Sequence, residues 1–330
     1  MNPPNRRQQA EHWAAEQLQW TDWSSDAISS DASFRSYYRI RQGAQSVVIM
    51  DAPPERESVS AFIDIAGRLA QVGLHVPAIL AQDLDHGFLL LEDLGSRPFH
   101  EALSPDNADA LFSDALASLR VMQTKIDCGG LQAYDAGRLM QELALFPDWF
   151  LHHHWQVEPS DGELDDWDLL CATLIRWALD QPQVFCHRDY MPRNLMLSDP
   201  NPGIIDFQDA VLGPISYDPV CLFRDAFLSW PIERVDAWLE SYRLQGLSAG
   251  LPLPESPELW RRTCDFMGVQ RHLKVIGIFA RIRYRDGKPK YLEDAPRFFA
   301  YLDQAIRRNP ELAPLERLIT AWRARRQLRQ

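Results

Sequence analysis

Two short segments of the chain carry residues suited to moving a phosphoryl group. Asp189 and Asn194 lie five positions apart, and Asp206 follows the apolar run 203–205. A carboxylate can accept the proton of an attacking hydroxyl, whereas a second carboxylate and an amide oxygen are ligands that Mg²⁺ prefers. The sequence therefore predicts Asp189 as the proton acceptor and Asn194 and Asp206 as metal ligands.

The spacing of these residues is more specific than any one of them. His187, Asp189 and Asn194 match the pattern H-x-D-x-x-x-x-N, with which kinase catalytic loops supply a base and a metal ligand. A single Asp or Asn near a turn more often only shapes that turn. The combination favours phosphoryl transfer with ATP and Mg²⁺ as cofactors. We expect His187 to hold the loop in shape rather than to react.

The residues that follow predict a β-hairpin. Residues 195–197 and 203–205 are apolar, and the segment 198–202 between them contains two prolines and an asparagine, which are typical of turns. A hairpin would bring Asn194 and Asp206 to the same end. The local sequence thus predicts that the two metal ligands lie side by side.

Composition restricts the classes of partner. The 330-residue chain has a formal charge of -12, which argues against a general nucleic-acid binder because such proteins need a basic face. The five cysteines include no C-x-x-C pair, which favours free thiols in a reducing compartment. No apolar run approaches the roughly 18 residues of a membrane span. We expect a cytoplasmic protein with a small-molecule substrate, no membrane association and no obligate protein partner.

The pattern of apolar residues predicts an α+β fold with two lobes. Strands are predicted at 34–41, 46–50, 76–80 and 87–91, with a helix at 59–71, whereas 20–30 is polar and turn-like. Later helices are predicted at 103–125, 139–151, 165–179, 232–244, 257–284 and 295–307. We predict a nucleotide-binding lobe over 1–95 and a mainly helical catalytic and substrate-binding lobe over 96–330.

These features together resemble the aminoglycoside phosphotransferase and choline kinase superfamily. The likeness is carried by Glu92-Asp93-Leu94-Gly95 at a strand end, by the residues from His187 to Asp206, and by Gly213-Pro214-Ile215-Ser216-Tyr217-Asp218, which is similar to the G-P-x-x-Y-D segment of small-molecule kinases. It implies a bilobal protein-kinase-like fold. The A-P-E end of a protein-kinase activation segment is absent, so a protein substrate is not expected.

Three further segments, 30–39, 49–54 and 267–281, resemble a narrower group. They look like those of the anomeric kinases of bacterial cell-wall recycling, which phosphorylate N-acetylmuramate and N-acetylglucosamine at C1. This resemblance implies an amino sugar as the substrate and a role in peptidoglycan recycling.

The chain departs from the kinase nucleotide site at two places. The strand lysine of V-A-I-K is replaced by Met50, and 29–33 stands where a glycine-rich loop is expected. Arg35 is the first candidate to replace the lysine, with Arg39 and Arg193 as alternatives. Glu57 is the nearest acid that might pair with a lysine introduced at position 50. Residues expected to contact the nucleotide, or to mark its place, are Ser33, Arg35, Glu92, Leu94 and Arg193.

The segment 264–281 carries an unusual number of polar residues for a helix. Gln270, Arg271 and Lys274 lie within one turn, where a cation would suit the carboxylate of a lactyl group. We predict that they bind the sugar, although a solvated helix face is the alternative. Two rival functions remain at this point: an aminoglycoside, choline or amino-alcohol kinase, and a pseudokinase that binds nucleotide without turnover.

Overall fold

The computed structural model describes residues 5–29 and 35–327. They form two compact units. Within the described ranges, one unit contains the residues up to Ser118 together with Arg193–Asp209, and the other contains Leu119–Pro192 together with the residues from Ala210 onward. The division lies after Ser118, whereas the predicted boundary lies at residue 95, and a later segment returns to the first unit. Within the described ranges, no helix combines the length and the apolar character needed to cross a membrane.

The described elements confirm the predicted α+β fold class. The strands are β1 (Ser24–Ser29), β2 (Ser36–Gln42), β3 (Gln45–Asp51), β4 (Ile79–Asp83), β5 (Phe88–Glu92), β6 (Gln183–Cys186), β7 (Leu195–Met196), β8 (Gly203–Ile204) and β9 (Val211–Pro214). The α-helices are α1 (Arg6–Leu18), α2 (Ser60–Gln71), α3 (Phe99–Ala102), α4 (Ala108–Lys125), α5 (Ala136–Leu145), α6 (Asp161–Leu179), α7 (Tyr217–Phe223), α8 (Ile232–Ser248), α9 (Pro257–Asp286), α10 (Ala295–Arg308) and α11 (Ala313–Gln327). Among these elements, β1, β6, β9, α3, α7 and α11 were not predicted.

The first unit is built on a five-stranded antiparallel sheet in the order β1-β2-β3-β5-β4. β2 and β3 form a hairpin, and its turn places Gly43 at φ 60°, which glycine adopts without a steric cost. Residues 24–29, which the sequence predicts as a turn, instead form the edge strand β1. Their polar side chains do not favour a strand, and antiparallel pairing with the neighbouring strand β2 provides their structure.

The hairpin predicted after Asn194 is confirmed. β7 and β8 pair over two residues each. The backbone N–H of Ile204 donates to the carbonyl of His75 at 2.8 Å. That of Leu197 donates to the carbonyl of Arg97, also at 2.8 Å. These bonds to segments that precede Ser118 explain why 193–209 belongs to the first unit.

Helix α9 is the centre of the second unit. It packs against α5, α6, α7, α8 and α10, and every residue from Thr263 to Lys274 is buried. A helix buried all round is normally apolar, yet this stretch includes Asp265, Arg271 and Lys274. Buried charges are costly unless they are paired, so this helix must form ion pairs inside the unit. The alternative of a solvated helix face is therefore wrong for this part of α9.

Helix α5 continues directly into a π-helix, Phe146–Trp155. Pro147 lies at its start and has no backbone N–H, so the regular bonding of an α-helix is interrupted there. The single α-helix predicted over 139–151 is accordingly wrong in its second half. The cysteines all lie in the described part of the chain, and none forms a disulfide.

We expect Gly277→Ala to destabilise the second unit, because α9 lies close to the end of α5 at this residue. A Cβ there would lie 2.4 Å from the carbonyl carbon of Leu145, which is backbone and cannot rotate away. The expected cost is about 1–3 kcal/mol. Gly162→Ala in α6 is the matched control, since a Cβ there meets no atom within 4 Å. Thermal unfolding should show a lower midpoint for the first variant alone, and equal midpoints would contradict the close approach.

Candidate active site

The segment 187–194, here called the motif loop, leaves the end of β6 in an unusual backbone conformation. Arg188 has φ 73°, in the left-handed region that residues with a Cβ seldom adopt. His187 is fully buried, and its Nδ1 accepts the backbone N–H of Asp189 at 3.3 Å. The carbonyl of Asp189 accepts the N–H of Met191 at 2.9 Å. His187 thus shapes the loop around Asp189.

A buried carboxylate on α7 fixes the beginning of the motif loop. Asp218 Oδ2 accepts the backbone N–H of His187 at 2.7 Å, and its Oδ1 accepts that of Arg188 at 2.9 Å. Burial raises the pKa of Asp218, while these contacts act in the opposite direction. The sequence singled out this aspartate only as part of a family segment. Its structural role is to pair two backbone donors that the left-handed turn leaves outside the β-ladder.

Asp189 itself is half-buried. Arg271 on α9 lies near enough for its charge and that of Asp189 to interact. Burial acts to lower the pKa of Arg271, but nearby negative groups, Asp189 and Asp225 among them, raise it. Arg271 also donates from Nη1 to the carbonyl of Arg224 at 3.3 Å. Arg271 is thus one of the cations in the electrostatic surroundings of Asp189.

Asn194 and Asp206 lie side by side in the first unit, as the hairpin predicts. Asn194 Nδ2 donates to Asp206 Oδ2 at 3.2 Å, and Gln208 Nε2 donates to Oδ1 at 2.9 Å. Asp206 has φ 62°, a second left-handed residue at a chemically important position. A carboxylate beside an amide supplies the oxygen ligands that suit Mg²⁺, which usually binds one or two protein groups together with phosphate oxygens.

Arg35 forms an ion pair with Glu57, an acid that lies just before α2. Nη2 of Arg35 lies 2.5 Å from Glu57 Oε1, and the arginine side chain is 7% exposed. Burial is the main cause that raises the pKa of Tyr37 to about 12, and the charges of Arg35, Asp206 and Glu57 also act on this phenol. Arg35, Glu57 and Asp206 therefore all lie near this phenol. Met50 is fully buried in β3 and belongs to the core.

Two other arginines considered for the phosphate site have different surroundings. Arg39 binds both carboxylate oxygens of Asp93, at 2.6 and 2.8 Å, and also donates to the carbonyl of Gly95. Arg193 lies in a single 3₁₀ turn, Pro192–Asn194, directly before the hairpin. Arg39 thus stabilises the chain at the end of β5 through these bonds.

The residues predicted to mark the adenine site lie at that same strand end. The backbone N–H of Glu92 donates to the carbonyl of Ala78 at 2.9 Å, and its side chain accepts the N–H of Ala78 at 3.2 Å. Leu94 is buried against Gly203 of the hairpin. Ser33 lies outside the described residues. The binding roles of all these side chains stay predictions.

Gln270 and Lys274 belong to a buried polar network. Lys274 Nζ lies 3.0 Å from Oε1 of Glu142 on α5 and donates to the hydroxyl of Tyr217 at 3.0 Å. Gln270 Nε2 donates to Glu142 Oε2 at 3.3 Å. Glu142 also pairs with Arg188 of the motif loop at 2.6 Å. Sequence reasoning missed Glu142, although its position on the apolar face of an amphipathic helix was a usable signal.

The fold is shared with solved phosphotransferase structures. The ADP-bound aminoglycoside phosphotransferase APH(2'')-Ib matches with a TM-score of 0.62 at 16% identity, covering 90% of this chain and 98% of that one. A choline kinase from Cryptosporidium parvum matches with a TM-score of 0.61 at 12% identity, covering 89% and 91%. At such identities these similarities show the fold alone, and they confirm the expected protein-kinase-like fold.

Sequence comparison gives a narrower result. A relative in Pseudomonas aeruginosa, named N-acetylmuramate/N-acetylglucosamine kinase, is 57% identical over 294 residues, which are 89% of this chain and 87% of the relative. A relative of the same name in Pseudomonas putida is 49% identical over 329 residues, 97% of both chains. The pattern of the phosphotransferase enzyme family matches residues 26–262. The chain therefore belongs to the phosphotransferase enzyme family.

Proposed function

We propose that this chain is an ATP-dependent kinase of N-acetylmuramate, N-acetylglucosamine or both, and that it phosphorylates the C1 hydroxyl during peptidoglycan recycling. The observation that carries the proposal is the 57% and 49% identity to relatives of that name, aligned over 89% and 97% of this chain. The retained Asp189, Asn194 and Asp206 support turnover, because a chain that only bound nucleotide would have no chemical reason to keep all three.

Asp189 is the proposed proton acceptor. As the C1 oxygen of the sugar bonds to the γ-phosphorus of ATP, the hydroxyl proton passes to the Asp189 carboxylate and ADP departs with the electrons of the broken P–O bond. The hydrogen bonds from the backbone of His187 and Arg188 to Asp218 fix the chain directly before Asp189 and so keep this carboxylate in one position. Phosphoryl transfer requires this, because its catalysis rests mainly on positioning and electrostatics.

Asn194 and Asp206 are the proposed ligands of Mg²⁺, whose positive charge would neutralise charge on the transferring phosphate. The hydrogen bonds from Asn194 and Gln208 orient the Asp206 carboxylate. Orienting a ligand before the cation arrives lowers the cost of binding it. These contacts support a metal-binding role in which the protein supplies only some of the ligands of Mg²⁺.

Arg35 with Glu57 is the proposed replacement for the missing strand lysine. In kinases a lysine that pairs with a helix glutamate positions the phosphates, and here an arginine forms the corresponding kind of pair with an acid just before α2. A guanidinium can bind phosphate with two parallel hydrogen bonds. The contact between Phe62 and Phe207, with ring centroids 4.8 Å apart, ties α2 to the segment that carries Asp206.

An ATP-consumption screen over N-acetylmuramate, N-acetylglucosamine, aminoglycosides and choline tests the substrate. Phosphorus NMR of the product would place the phosphate on C1 or on another hydroxyl. Transfer to aminoglycosides or choline alone would refute the amino-sugar proposal, and ATP binding without transfer to any acceptor would identify a pseudokinase.

We expect Asp189→Asn to lower the turnover number by about 10²–10⁴-fold, because the amide cannot accept the hydroxyl proton. The affinity for Mg·ATP, measured by calorimetry, should stay within about twofold of wild type. Near-normal turnover in this variant would show that another group accepts the proton.

Asp206→Ala should weaken Mg²⁺-dependent ATP binding as well as turnover, because the proposed metal ligand is removed. We expect turnover to fall by about 10²-fold or more. Asp199→Ala is the control, since this exposed acid lies in the turn of the same hairpin. Calorimetry should separate the two variants, and unchanged Mg·ATP affinity in Asp206→Ala would contradict the assignment.

Arg35→Ala should reduce kcat/KM for ATP by about ten- to a hundredfold, as a hydrogen bond to a charged group contributes about 1.5–3 kcal/mol. Arg68→Ala is the matched control, because Arg68 pairs with Asp64 on the surface of α2 in the same unit. Steady-state kinetics with varied ATP would measure both. If the two variants behave alike, phosphate neutralisation lies elsewhere.

A further inference from the structure

Arg188, directly before Asp189, needs support on both its backbone and its side chain. Its φ of 73° is disfavoured for a residue with a Cβ. Its backbone N–H donates to Asp218 at 2.9 Å, and its carbonyl accepts the Sγ–H of Cys221 at 3.3 Å. These bonds hold the backbone, but they leave the long side chain to be fixed by other groups.

Glu142 on α5 holds that side chain. Nη2 of Arg188 lies 2.6 Å from Glu142 Oε1, and the guanidinium carbon lies 5.3 Å from the ring centroid of Tyr134. The hydroxyl of Tyr134 donates to the other oxygen of Glu142. Burial acts to raise the pKa of Glu142, but the charges of Lys274 and Arg188 hold it below its ordinary value. Glu142 is therefore ionised at neutral pH and presents a full negative charge to Arg188.

The same carboxylate also pairs with Lys274, so Glu142 forms ion pairs with two cations, Arg188 and Lys274. All three side chains are at most 13% exposed. A buried cation without a partner is strongly unfavourable, so removal of the carboxylate would leave two like charges to repel each other. The lysine is further occupied by the hydroxyl of Tyr217 at 3.0 Å. These contacts hold the ammonium group of Lys274 in the interior of the second unit.

We propose that Glu142 is a positioning residue for phosphoryl transfer, which fixes Arg188 and thereby the adjacent Asp189. Lys274 is then an internal counter-cation, a role that differs from the sugar contact its sequence context predicts. This inference rests on the proposed role of Asp189 as the proton acceptor. It assigns a function in the reaction to a helix, α5, that carries none of the motif residues.

Two variants separate positioning from simple charge balance. Glu142→Gln keeps the shape of the side chain but removes its charge, and we expect kcat to fall by about 10²-fold while KM for ATP and for the sugar changes by less than about threefold. Adding Lys274→Met returns the network to its original net charge. The double variant should regain the thermal stability that Glu142→Gln loses, yet its kcat should stay low because Arg188 still lacks its carboxylate. If Glu142→Gln alone fails to fold, the double variant carries the test.

Glu240→Gln is the matched control, because Glu240 forms a pair of the same kind with the buried Arg243 on α8 at 2.6 Å. This variant should keep the wild-type kcat. Hydrogen exchange of the peptide that covers 185–192 gives a second measurement that needs no acceptor sugar. We expect faster exchange there in Glu142→Gln and in the double variant, and wild-type exchange in Glu240→Gln.

A double variant with wild-type kcat, or wild-type exchange in both Glu142 variants, would overturn the positioning role. The wild-type protein in the same assays distinguishes this result from a failure of the proposed function. Absence of transfer to any amino sugar by the wild type would count against the substrate, whereas the exchange measurement would still decide whether Glu142 fixes the motif loop.

Discussion

The proposed chemistry depends on one buried carboxylate, that of Asp218. The turn that presents Asp189 rotates two consecutive backbone N–H groups away from the ladder between β6 and β9, whose last pair is Cys186 with Val211. Leaving a buried donor unpaired costs about 1–3 kcal/mol, so a turn with two such donors would relax to another conformation without an acceptor. Asp218 supplies both acceptors, and it follows β9 closely in sequence. The strand that completes the small sheet and the residue that fixes the turn thus come from one short segment.

The parts of the site that could be predicted from the sequence are those fixed by local geometry. Asn194 and Asp206 are brought together by a hairpin whose turn residues and apolar strands lie within fifteen positions of each other. The spacing of His187 and Asp189 likewise describes a single turn. Most helices were identified because their apolar periodicity extends over many residues, whereas β1 was missed because a polar edge strand is defined by its neighbour.

The rest of the site is formed by contacts between distant residues, which the sequence does not display. Glu142 and Lys274 are 132 positions apart, and nothing in the sequence links the glutamate of one helix to the lysine of the other. The polar residues of α9 fit either a solvated face or a binding site by periodicity alone, and only the surrounding helices show that they are buried. A glutamate between Leu139 and Leu143, on the face that α5 buries, was the one local sign of an internal partner.

The first unit is discontinuous along the chain, since its hairpin comes from 193–209 and the intervening residues belong to the second unit. A single genetic crossover near Ser118 would therefore separate the sheet from the hairpin that hydrogen-bonds to the carbonyls of His75 and Arg97. Exchange of the complete first unit between relatives requires two further breakpoints, on either side of the hairpin. Asn194 and Asp206 would then be inherited with the sheet, while Asp189, only five positions before Asn194, would be inherited with the helices. We therefore expect recombination within this family to exchange the motif loop only together with the whole gene. It should not combine one end of the loop from one relative with the other end from another.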